Sequence, residues 1–158
     1  MTSKVYFTDM HMEDGEDNMR HKIQKLFNKA GFSELISKDD LTAIKMHFGE
    51  AGNTTFVPPW NAQAVVEKVK EKGARPFLTD TTTLYIGKRK NAVLHHETAM
   101  RHGFGYPTVD APVIIADGLR GKLYTEVEIN KKHFEKVKVA PVIVEADSMI
   151  MLSHFKGH

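Results

Sequence analysis

Leu41 to Thr79 reads LTAIKMHFGEAGNTTFVPPWNAQAVVEKVKEKGARPFLT, and the parsing of this stretch decides the fold. Leu41 to Met46 has the length and apolar content of a strand, with Lys45 expected to point away from the core. His47 to Asn53 is too rich in glycine to continue that strand or to begin a helix. Pro58-Pro59 then sets up a helix, because proline is tolerated in a first helical turn. Ala62, Val65, Val66 and Val69 recur at helical spacing and form its buried stripe, and Gly73 ends it. Arg75 to Thr79 is the next strand. A strand, loop, helix and strand in this succession make a βαβ unit, so the two strands are expected to be parallel with a right-handed crossover.

The rest of the chain extends this unit. Lys4 to Thr8 (KVYFT) reads as a first strand, and Asp17 as the cap of a helix from about Asn18 to Ala30. A second helical pattern runs from about Lys90 to His102. It places Ala92, Val93, His96, Ala99 and Met100 on one face, and Asn91, His95, Thr98 and His102 on another. His96 is expected in the core, with His95 as a wall of a site. Ala111 to Ala116 (APVIIA) and Ser148 to Leu152 (SMIML) read as buried strands, and Val142 to Ala146 as a short helical turn. Leu123 to Ile129 and Phe134 to Val139 alternate like a half-exposed hairpin with Asn130 to His133 at its tip. The expected fold is α/β: a mostly parallel open sheet built from βαβ units, with helices on both faces. Residues 1–158 form one such domain, which reads as the N-terminal part of a longer one.

Composition narrows the function. The 158 residues carry 22 Lys and Arg against 20 Asp and Glu, too balanced for a nucleic-acid or anionic-membrane footprint. No apolar run approaches the length of a membrane span, and MTSKVYFTDMH lacks the apolar core of a secretory signal. The expected location is the cytoplasm, with neither nucleic acid nor membrane as a partner. There is no cysteine, which removes disulfides, thiolate zinc sites, a cysteine nucleophile and cysteine-held iron–sulfur clusters from this chain.

In an open parallel sheet, ligands bind beyond the carboxyl ends of the strands. The residues that follow the predicted strands are His47 and Glu50; Asp80, Thr81 and Thr82; Asp117; and His154, Lys156 and His158. Repeated ionisable and hydroxyl side chains at these ends point to a shared site. Asp80 to Thr83 also suits a turn that caps the next element. His47 and Glu50 supply two of the ligand types that a catalytic metal needs. Gly49 to Asn53 offers backbone N–H groups to an anion, although the loop matches neither the Walker phosphate loop nor the dinucleotide fingerprint. Lys156 suits an oxyanion or a desolvated base, and equally a solvated terminal lysine. As strand-end groups, His47 and Asp80 are expected to matter more to binding than to stability.

The segments KMHFGEAGN (45–53), PFLTDTTTLYIGKRKNA (76–92), HGF (102–104), APVIIADGLRG (111–121) and SHFKGH (153–158) resemble the domain of unknown function 362 family, often labelled uncharacterised Fe–S centre proteins. Members typically continue past an HFKGH-like motif with a glycine-rich segment, and many add a ferredoxin-like module with cysteine ligands. The chain resembles the N-terminal half of such a protein. The resemblance therefore implies a redox setting, with a 4Fe–4S cofactor only in that further region and an Fe–S module as partner. It carries His47, Glu50, Asp80, Thr81, Lys156 and His158 over as shared site residues.

Two readings follow. In the first, the crevice binds a divalent metal or a small anionic ligand. His47, Glu50, Asp80 and Lys156 are then its catalytic candidates; Gly49, Asn53, Thr81, Thr82 and Asp117 line the ligand, and His47, Glu50 and His158 are the metal candidates. In the second, the domain is a non-catalytic ligand-binding or scaffold module for an Fe–S partner. Apolar surface left uncovered would favour a homo-oligomer.

Overall fold

The computed structural model describes residues 3–11 and 18–155. Helix α1 spans Met19–Lys29 and a 3-10 turn follows at Phe32–Leu35. Strand β1 is Leu41–Met46, helix α2 Pro59–Glu71 and strand β2 Arg75–Asp80. Helix α3 (Ala92–Arg101) and the short α4 (Tyr106–Val109) lead into β3 (Val113–Ile115). Strands β4 (Thr125–Glu128) and β5 (Lys136–Val139) precede α5 (Pro141–Glu145) and β6 (Ser148–Leu152).

The main sheet has four strands, all parallel, in the order β3-β2-β1-β6. Ile44 sits opposite both Leu78 and Ile150, which fixes the central register. The βαβ unit is therefore as its sequence pattern requires. Proline occupies the first turn of α2, where its missing N–H costs nothing. Ala62, Val65, Val66 and Val69 pack with Ile44, Met46 and Leu78 and with Phe27 of α1 in one hydrophobic cluster. Each of these side chains is worth about 1.5–3 kcal/mol when withdrawn from water, alanine less. Strands β4 and β5 form a separate antiparallel hairpin, with Val127 opposite Val137.

Three expectations need correction. Lys4 to Thr8 is not a strand: the segment makes no ladder, and Val5 and Phe7 are exposed. Strand propensity is expressed only in a ladder, and the segment shares a groove with β6 without pairing with it. Ala111 to Ala116 and Ser148 to Leu152 are not buried strands but the two edges of the sheet. In β6 burial alternates, leaving Met149 and Met151 48% and 61% exposed. Helix α3 buries residues of both expected faces: His95 and Thr98 of the polar one and Ala99 of the apolar one are inside, while His96 is exposed. Asp17 lies outside the described residues, and Asn18 caps α1, its side chain accepting from the His21 N–H.

Candidate functional site

Strands β1 and β2 end side by side, and the polar groups beyond them meet at the carboxyl edge of the sheet. Asp80, the last residue of β2, is only 5% exposed. Its Oδ1 lies 3.3 Å from Lys45 Nζ, and its Oδ2 accepts from Arg89 Nη1 at 3.2 Å. His95 of α3 reaches the same oxygen from below, with Nε2 at 3.7 Å. Arg89 is itself buried. Its Nε donates to Glu50 Oε1 at 2.9 Å, and Nη2 donates to that oxygen and, at 2.8 Å, to the Tyr85 hydroxyl. Tyr85 in turn donates to Glu50. One guanidinium thus joins the loop after β1, the end of β2 and the loop before α3.

Electrostatics follows from this geometry. Burial alone would raise the Glu50 carboxyl, but hydrogen bonds from Arg89 and Tyr85 outweigh it and hold the group below its ordinary value. Burial works against the Arg89 cation too, yet Glu50 keeps its pKa raised. The hydrogen bond to Glu50, with burial, raises Tyr85. His95 is fully buried with no hydrogen-bond partner on either ring nitrogen. Burial first, then the positive charges of Arg89, His47 and Lys45, lower it to about 4, so it is a neutral imidazole at pH 7.

His47 is half-buried at the exit of β1, and its Nδ1 accepts from the Gly49 N–H at 2.9 Å. Gly49 has φ +87°, and a Cβ there would lie 2.5 Å from the Phe56 ring and 2.7 Å from His102 Nδ1. His102 stacks on Phe56 and donates from Nδ1 to the Phe48 carbonyl at 2.7 Å. Gly49 therefore serves close packing of the loop on α3. Asn53 folds a local turn, its Oδ1 accepting from the Thr55 N–H and hydroxyl.

Next to this cluster, Thr82 donates from both N–H and Oγ1 to Asp117 Oδ2, at 2.9 and 2.7 Å. Gly121 closes over them: a Cβ there would lie 1.8 Å from Thr82 Oγ1. This contact locks the end of β2 to the exit of β3. Thr81, between the two groups, is half-buried.

The structure thus gathers His47, Glu50 and Asp80 into one cluster, places Thr81, Thr82 and Asp117 beside it, and leaves Asn53 in a separate exposed turn. Lys156 and His158 lie outside the described residues. Asp80 is a buried ion-pair partner rather than a strand-end group of small structural weight, which revises the expectation that its loss costs little stability. Sequence reasoning missed Arg89, Tyr85 and Lys45 as members of the cluster, whereas His95, expected as a wall of a site, does lie against Asp80. Lys45 carried a weak signal, as the one charged residue in LTAIKM; Arg89, inside Lys88-Arg89-Lys90, looked like a solvated run. Among the described residues no group of three or more His, Asp or Glu side chains is placed to hold a metal ion. Nor is any helix there long and apolar enough to cross a membrane.

A parallel α/β sheet with a polar cluster at its carboxyl edge defines the class. Within it, the chain belongs to the family described as domain of unknown function (DUF362), whose model matches residues 42–158. No curated protein and no solved structure matches the chain.

Proposed function

We propose that the carboxyl edge of the sheet binds a small anionic ligand through Lys45 and His47, over a floor formed by Asp80, Arg89, Glu50, Tyr85 and His95. The observation that carries this reading is the unequal use of the two cations. Arg89 is buried and spends its donors on Glu50, Asp80 and Tyr85. Lys45 keeps 35% of its side chain exposed, and among the described residues its ammonium meets only Asp80 Oδ1, at 3.3 Å. An ammonium has three donors, so Lys45 can take an oxyanion without giving up Asp80. Half-buried His47 stands beyond the end of the same strand. Thr81, Thr82 and Asp117 form the far wall.

The divalent-metal reading of this edge is less well supported, because Glu50 is already held by Arg89 and Tyr85. The iron–sulfur association implied by the sequence resemblance adds a redox-linked setting, with an Fe–S module as partner. The residues of this chain do not themselves fit a cluster, since they include no cysteine.

Calorimetric titration of the untagged protein with phosphate, acetate and divalent cations tests the proposal. Wild type should bind one of the anions saturably. Lys45→Met should weaken that binding at least about tenfold, the scale of one lost charge-assisted contact. His47→Ala should weaken it too, with little change in melting temperature. Binding of the cations alone would favour the metal reading. Anion affinity unchanged in Lys45→Met would refute the assignment.

A further inference from the structure

The parallel sheet stops at β6, and none of the strands pairs with the outer edge of that strand. A groove of about 790 Å³ opens there, lined by Ile150, Met151 and Leu152. Successive strand residues point to opposite faces, so a groove that touches all three borders the backbone edge rather than either face. A smaller cavity of about 220 Å³ touches Ser148 to Met151 in the same way. Open space therefore follows the edge along all of β6. Lys4, Val5 and Tyr6 line the larger groove as well, again three consecutive residues, in a segment that has no ladder. Side chains of α1, chiefly Ile23, Leu26 and Phe27, close it on a third side.

We propose that this groove is a slot for one extended segment of a partner polypeptide, apolar where it faces α1 and flanked by a carboxylate, which adds to the sheet between β6 and residues 4–6. Size agrees with this. The larger groove touches three residues of β6, a span of about 10 Å, and with the smaller cavity it runs beside all five, the length of one short strand. Edge chemistry agrees too: proteins shield exposed edges with charge, proline or bulges, and β6 (SMIML) has none of these residues. The charge around the slot selects the flank. Lys4 lines it, and Lys29 lines the adjoining cavity. A second folded copy does not fit, because its β6 has one edge already taken by β1, whereas this slot needs a segment with both edges free. The Lys4–Thr8 segment of another copy would bring Lys4 against the same lysines.

The test uses a labelled, N-acetylated peptide of alternating valine and threonine between two glutamates. Its binding is followed by fluorescence anisotropy and by amide hydrogen exchange of the protein. Saturable binding is expected, with exchange of the outward-facing β6 amides slowed at least about tenfold. A central proline in the peptide should abolish binding, since it removes a ladder donor. Lys4→Glu should shift preference to a lysine-flanked version. The proposal is overturned by absence of binding, by binding that leaves β6 exchange unchanged, or by indifference to the proline. Protection of β6 without peptide would also overturn it: in a concentration-dependent dimer it would assign the edge to a second copy, and in a monomer to the Lys4–Thr8 segment.

Discussion

Arg89 is the hub of the polar cluster. It is 4% exposed, and its planar fork serves Glu50, Asp80 and Tyr85 together, a geometry that a lysine cannot reproduce. Removing one partner of a buried pair leaves the other charge uncompensated. Arg89→Ala should therefore cost about 3–5 kcal/mol, read from the urea midpoint at constant slope. Arg89→Lys should recover only part of this. Tyr85→Phe, which deletes one hydroxyl, should cost about 1 kcal/mol. The exposed pair Arg101–Glu97 is the control, and Arg101→Ala there should cost less than about 1 kcal/mol. Equal losses at Arg89 and Arg101 would mean that the cluster is solvated and no hub exists.

Helix α3 holds His95 under the cluster, and its position depends on its first turn. Asn91 caps it, Oδ1 accepting from the Leu94 N–H at 3.0 Å. Asn91→Ala should lower stability by about 0.5–2 kcal/mol in a melting curve, and Asn91→Ser should restore most of it. This helix also shows where the sequence was legible and where it was not. Strand β1 and helix α2 were readable because apolar period and punctuation agree: Leu41 to Met46 has the predicted bounds, and the α2 stripe is the buried one. The face of α3 was misread because polarity was taken for exposure. Thr98 returns its hydroxyl to the Leu94 carbonyl and His102 caps the Phe48 carbonyl, so both enter the interior with partners. The site was half legible for a similar reason. His47, Glu50 and Asp80 stand next to strand ends, a local signal. Arg89 reaches Glu50 across a separation of 39 residues, which no local pattern encodes. Lys4 to Thr8 reads as a strand in sequence yet joins no ladder, and pairing is a property of the sheet rather than of the segment.

At the scale of the whole molecule, the buried cluster couples folding to pH. His95 faces the edge of Phe48 and the charged groups Asp80, Arg89, Glu50 and Lys45, together with His47. Burial and the neighbouring cations lower it from 6.5 to about 4. The unfolded chain takes up a proton near 6.5 that the folded protein refuses until about 4. Stability from this group is thus complete above 6.5, falls as the pH drops towards about 4, and is level below that. At about 1.4 kcal/mol per pH unit the full loss is about 3 kcal/mol, a large share of the roughly 5–15 kcal/mol that holds a domain together. Glu50 acts further down the scale. Its lowered pKa gives stability that is present above its ordinary 4.5 and lost as the pH falls through the folded value. Acid should therefore weaken the fold in two successive steps, histidine first and carboxylate second. Urea denaturation at half-unit intervals from about pH 7.5 to 3 resolves them. His95→Phe should flatten the upper step and leave the lower one, while Glu50→Gln should do the reverse after an overall loss of stability. A wild-type curve that is level from neutrality to pH 4 would show that His95 is hydrated in solution, and that the floor of the proposed site is open to water.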